Sequence, residues 1–130
     1  GARPTKFQRN LIFGENTWRP YCHVKDVARA ILLGIYDKKK LNIFNVGNSK
    51  QNYSKKSIVK SIGKYIPLRK ITYSNQKESD KRDYKVNFTK INTQLNFTTK
   101  YDIDFGINEI IKFLKKNKNK NFFNKKYFNT

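Results

Sequence analysis

Apolar positions recur along this chain with two different periods. Val27, Ala30, Ile31 and Gly34/Ile35 are spaced as one face of a helix, and the spacing predicts a helix over 26–36 with Asp26 as its N-cap. The same period returns at Ile58, Ile62, Tyr65 and Ile66, which Ser54 opens and Pro67 stops, and at Ile103, Ile107, Ile110, Ile111 and Leu114 behind Asp102. A shorter helix is predicted from Thr89, as its cap, to Leu95. Between these lie short runs that suit strands: 10–13, 21–24, 42–46 with Ile43-Phe44 at its centre, 70–74 and 84–86. Helices and short strands alternate, so the expected class is α/β with about four helices.

The ends are different in kind. Residues 1–9 (GARPTKFQR) have no apolar period and read as an irregular N-terminal segment, 10–116 as the folded portion, and 117–130 as a Lys/Asn/Phe-rich tail that is expected to fray. Apolar residues make up 37% of the chain and charged ones 29%, so the expected core is modest under a surface crowded with lysine. No apolar run is long enough to span a membrane, and the polar start is unlike a secretory signal, so no membrane partner is expected. The single cysteine, Cys22, rules out an intrachain disulfide and suits a reducing, cytoplasmic setting.

Charge widens the choice of function. Lys and Arg number 29 against 9 Asp and Glu, a formal net charge of +20. Such an excess attracts polyanions in general, so a small basic nucleic-acid-binding protein is one candidate, helped by the aromatic and lysine residues of the tail. Only six of the 29 basic residues are arginine, which makes each arginine in a motif informative. A metal is not expected. His23 and Cys22 are the only residues of their kinds, and as neighbours on a strand they would point to opposite faces.

Several blocks carry a more specific pattern. Trp18-Arg19-Pro20-Tyr21-Cys22-His23-Val24-Lys25-Asp26-Val27-Ala28-Arg29-Ala30 resembles the R-(D/P)-(Y/F)-x-H-V-x-D-(V/L)-A-x-A segment of the NAD-dependent nucleotide-sugar epimerases and dehydratases, the extended short-chain dehydrogenase/reductases. Ile43-Phe44-Asn45-Val46-Gly47, Asp80-Lys81-Arg82-Asp83-Tyr84-Lys85-Val86, Lys90 to Phe97 and Gly106-Ile107-Asn108-Glu109-Ile110 are similar to further blocks of that family, in the family's order. The resemblance covers roughly residues 10–114. It implies the C-terminal, substrate-side portion of such an enzyme, incomplete without an N-terminal Rossmann half.

From that resemblance come the site expectations. Arg19 would grip the diphosphate of a sugar nucleotide, with Arg82 as a second contact and Tyr84 and Lys77 lining the pocket. The guanidinium fork meets phosphate oxygens with paired, charge-assisted hydrogen bonds that an ammonium cannot reproduce. Local alternatives stand beside each role: Arg19 packed between Trp18 and Tyr21, Arg82 paired to Asp80 or Asp83, Tyr84 filling a strand position. The family implies NAD or NADP as cofactor, held mainly by the N-terminal half, and leaves open a homodimer of the full-length enzyme. This chain has no Gly-rich dinucleotide turn. Its three Tyr-x-x-x-Lys matches, Tyr21/Lys25, Tyr36/Lys40 and Tyr73/Lys77, lack the mid-helix setting and the upstream Ser or Thr that the chemistry wants. No catalysis is therefore expected of the chain by itself. Binding to nucleic acid, if any, would be non-specific, and a non-catalytic nucleotide-sugar module is the remaining alternative.

Overall fold

The computed structural model describes residues 10–37, 42–68, 70–74 and 82–118. Among these residues four helices and four short strands follow one another as β1 (Asn10–Phe13), β2 (Trp18–Pro20), α1 (Val24–Tyr36), a 3-10 turn (Ser49–Gln51), β3 (Asn52–Ser54), α2 (Lys55–Gly63), β4 (Ile71–Ser74), α3 (Thr89–Leu95) and α4 (Ile103–Lys116). β1 and β4 run parallel, Asn10 facing Ile71 and Phe13 facing Ser74. β2 and β3 are antiparallel, with Arg19 opposite Tyr53. The α/β class with four helices is as the sequence predicts.

Element boundaries depart from the periodicity where side chains intervene. The strand expected at 21–24 lies instead at Trp18–Pro20, and α1 begins at Val24 because the His23 ring is its cap: Nδ1 accepts the Lys25 N–H at 3.1 Å. Asp26, expected as that cap, sits inside the first turn and serves another element. Its wholly buried carboxylate accepts the N–H groups of Lys100 and Tyr101 (3.0–3.1 Å) and the Arg29 guanidinium (2.7 Å), tying the approach to α4 onto α1. Thr89 does not cap α3 with its side chain; the Asn87 carboxamide oxygen accepts the Thr89 N–H at 2.8 Å. At the other end Asn96 takes the left-handed conformation that Asn tolerates, φ 49°, and closes the helix. Ser54 and Asp102 cap α2 and α4 as expected, although α2 ends at Gly63 rather than Ile66.

Two expected strands have no ladder among the described residues: 42–46 and 84–86. The second is held by other means. The Asn52 carboxamide donates to the Val86 carbonyl (3.0 Å) and accepts the Val86 N–H (2.9 Å), standing in for a strand's pair of hydrogen bonds.

The core is small, as the 37% apolar content implies. Ala30, Phe88, Ile91 and Phe97 form it, with Phe44, Val46, Val86 and Leu95 packed around. Gly47 is required here, since a Cβ would stand 2.7 Å from Phe88 Cζ. On α1 only Ala30, of the four positions expected inside, is fully buried. Ile31 and Ile35 are exposed, and with Val24, Ala28 and Leu32 they form an apolar stripe on the side away from Ala30.

Candidate functional site

Arg19 stands in the middle of β2, and the pleat that pairs it with Tyr53 leaves its half-buried side chain beside Tyr84. Its Nη1 donates to the Trp18 carbonyl at 2.8 Å, and Cζ lies 5.2 Å from the Tyr84 ring centroid. The guanidinium is thus oriented by a backbone oxygen and an aromatic face, a cation–π arrangement that restricts the side chain. The local alternative foresaw Trp18 and Tyr21 as its aromatic partners. The Trp18 ring is instead covered by Lys85, whose Nζ lies 3.8 Å from the ring centroid, and Tyr21 meets Tyr53 edge-on at 6.2 Å.

Tyr84 is brought there by its own neighbours. The Trp18 N–H donates to Asp83 Oδ1 at 2.8 Å, and the Tyr84 N–H donates to the Trp18 carbonyl at 3.3 Å. Two more bonds extend the line: the Asn52–Val86 pair and the Phe88 N–H on Ser49 Oγ at 3.0 Å. Residues 83–88 are therefore laid along β2, β3 and the turn before β3. Arg82 is exposed and immediately precedes the Asp83 anchor, while Lys77 lies outside the described residues. Sequence reasoning offered Asp83 only as a partner for Arg82 and missed both its bond to Trp18 and the Lys85 cover on the Trp18 ring, contacts between distant segments that no local pattern signals.

A second polar cluster fastens α1 to α4. His23 presents Nδ1 to the helix cap, so its other nitrogen, Nε2, carries the proton that Glu109 Oε2 accepts at 2.8 Å. Glu109 also takes the Lys25 ammonium at 2.9 Å. The hydrogen bonds from Lys25 and then from His23 hold the Glu109 carboxyl below its ordinary value, and the bond to Glu109 raises Lys25. Tyr101 and Phe105 flank the His23 ring at 4.9 and 5.5 Å. Cys22 beside it is partly buried; burial, and secondarily Asp26, push its thiol up, which disfavours the reactive thiolate. Among the described residues no group of three or more His, Cys, Asp or Glu is placed to hold a metal ion.

The three Tyr-x-x-x-Lys matches are not brought into a catalytic arrangement among the described residues. Tyr21 precedes α1 while Lys25 is engaged by Glu109; Tyr36 ends α1 and Tyr73 lies in β4, with Lys40 and Lys77 outside the described residues. No Tyr-x-x-x-Lys pair among the described residues lies within one helix.

Comparison with solved structures places the architecture. The chain superposes on dTDP-glucose 4,6-dehydratase of Bacillus anthracis, solved in complex with NAD, with a TM-score of 0.69 and 22% identity over 85% of this chain and 36% of that one. UDP-glucose 4-epimerase of Bifidobacterium longum, solved with NAD+ and UDP, gives 0.69 and 20% over 88% and 37%. UDP-glucose 4-epimerase of Thermotoga maritima, solved with UDP-glucose, gives 0.65 and 25% over 83% and 35%. No family model matches the chain. The fold is therefore that of NAD-dependent epimerase/dehydratase enzymes of the extended short-chain dehydrogenase/reductase type, as the sequence blocks imply. The chain spans about a third of the length of each of these structures. No helix among the described residues is long and apolar enough to cross a membrane.

Proposed function

We propose that this chain is the substrate-side portion of an NAD(P)-dependent nucleotide-sugar epimerase or dehydratase, and that Arg19 grips the diphosphate of the sugar nucleotide. The observation that carries this is the meeting of two motif blocks far apart in sequence. Trp18 and Arg19 on β2 are joined to Asp83 and Tyr84 across 65 residues. Both blocks are those that the family resemblance associates with the diphosphate, and their junction is a polar, arginine-bearing surface rather than a packed core.

The chemistry of the site is binding and orientation. A diphosphate approaching Arg19 meets a guanidinium already held by the Trp18 carbonyl and the Tyr84 face, so little side-chain freedom is lost on binding. Arg82 adds a second positive charge on the same docked segment, and Tyr84 forms part of the wall. The oxidation and reduction steps belong to the bound nicotinamide and to a cofactor-binding half, which would act on a sugar that this portion holds in place. The exposed stripe on α1 suits burial against that half.

Titration with UDP-glucose tests the proposal. Saturable binding is expected, with shifts centred on Trp18, Arg19 and Tyr84 and no response to free glucose. Equal response to heparin, an unrelated polyanion, or affinity that collapses entirely with moderate salt would favour the non-specific basic protein instead.

A further inference from the structure

Asn52 is tied to three segments at once. Its main chain stands opposite Pro20 in the β2–β3 pair. Its carboxamide accepts the Val86 N–H at 2.9 Å and donates to the Val86 carbonyl at 3.0 Å, and the same nitrogen donates to the Ser49 carbonyl at 2.9 Å. With two carbonyls on one side and an N–H on the other, only one way of turning the carboxamide satisfies all three bonds. A donor and an acceptor side by side are what the main chain of a neighbouring strand would offer, so Val86 is gripped as a strand residue is.

Such a grip sets register. Along an extended segment side chains alternate between faces, and a slip of one residue exchanges the two sets. Trp18 and Arg19 alternate on β2, and Lys85 and Tyr84 alternate beside them. Pinned at Val86, the segment places Tyr84 5.2 Å from the Arg19 guanidinium and Lys85 3.8 Å from the Trp18 ring. A slip of one residue would set the Lys85 ammonium at Arg19 in place of the aromatic face that orients it. The ties of this segment to β2 hold register less firmly: the Tyr84 N–H reaches the Trp18 carbonyl in a single bond of 3.3 Å, and Asp83 acts through a side chain that can follow a shift.

We infer that Asn52 is a positioning residue of the Arg19 site: its paired bonds to Val86 set the register in which residues 83–88 lie beside β2, and so which side chain faces the guanidinium. What Arg19 binds is taken from the function proposed above, whereas the register is a property of the chain without ligand.

Two substitutions in the whole chain test this. Asn52→Ala removes the pair; Asn52→Asp, of the same shape, keeps an acceptor for the Val86 N–H but turns a second oxygen towards the Val86 carbonyl. Trp18 is the only tryptophan, so its indole N–H resonance reports the position of Lys85 with no ligand present. We expect both variants to move that resonance and to weaken the binding of UDP-glucose by about five- to tenfold, as coupled contacts do. In an Arg19→Lys background the same substitutions should change the affinity by less than about twofold, because little of the Tyr84–Arg19 arrangement is left to lose. Equal losses in both backgrounds would mark a general structural effect and overturn the inference. So would native affinity or an unmoved indole resonance in Asn52→Asp, since that variant fills the same space. If the native chain binds no UDP-glucose, the proposed function fails by itself, and the register is still judged by the indole resonance.

Discussion

The main-chain N–H of Trp18 donates to Asp83 Oδ1 at 2.8 Å, joining a strand near the start of the described chain to a segment 65 residues later. That bond sets Tyr84 against Arg19, and so decides whether the two motif blocks form one surface or two. Replacing Asp83 with alanine removes the acceptor but leaves the Trp18 N–H able to find water, since the pair is exposed. We expect a stability loss of only about 1 kcal/mol. Affinity for UDP-glucose should fall several-fold, because the Tyr84 face that orients Arg19 is released. Unfolding in urea and calorimetric titration separate the two effects, and unchanged affinity would mean that Tyr84 is held by its other bonds.

Asp26 is a structural group by its contacts. Burial pushes its carboxyl up, but the N–H groups of Lys100 and Tyr101 and the Arg29 guanidinium outweigh this and leave it below the ordinary value of 3.8. A folded value below the unfolded one means that the stabilisation is complete well above pH 3.8 and is lost as pH falls through the folded value. Asp26→Asn should therefore cost roughly 2–4 kcal/mol at neutral pH and flatten the acid limb of the stability curve. Urea unfolding at a series of pH values checks both.

Two glycines should respond to alanine in opposite directions. At Gly47 the new methyl group would stand 2.7 Å from the buried Phe88 ring, and we expect a loss of about 1–3 kcal/mol from overpacking. At Gly34, within α1, nothing lies within 4 Å, so alanine should stabilise by about 0.5–1 kcal/mol through helix propensity. Thermal unfolding of the two variants gives the signs directly.

Much of this architecture was legible in the sequence, and the misses share a cause. The Ser54 and Asp102 caps stood out because each is a short oxygen-bearing side chain before an apolar period. His23 did not, because a ring nitrogen rarely fills that role, and Asp26 drew the assignment by its type although its carboxylate reaches residues 100 and 101. Strand-like composition at 42–46 was real, as the alternating burial of Ile43, Phe44 and Val46 shows, but a ladder needs a second strand, and none of the described residues supplies it. At 84–86 the Asn52 carboxamide replaces the strand partner, a long-range contact that no local pattern announces. The candidate site follows the same division. Arg19 and Tyr84 were legible through their motifs and are brought together, whereas the Asp83 anchor and the Lys85–Trp18 stack depend on chain segments meeting in space.

The central claim is that a placed guanidinium, rather than the general positive charge of the chain, holds the ligand. Calorimetric titration with UDP-glucose of the native chain, Arg19→Lys and the double variant Lys115→Gln/Lys116→Gln on the last turn of α4 tests it most directly. Arg19→Lys keeps the charge and removes the fork, so binding should weaken by about 1–3 kcal/mol, the worth of a charge-assisted hydrogen bond. The α4 double variant lowers the net charge by two at exposed, solvent-screened positions and should leave the affinity nearly unchanged. Equal losses from both changes would contradict the account and assign the binding to bulk charge.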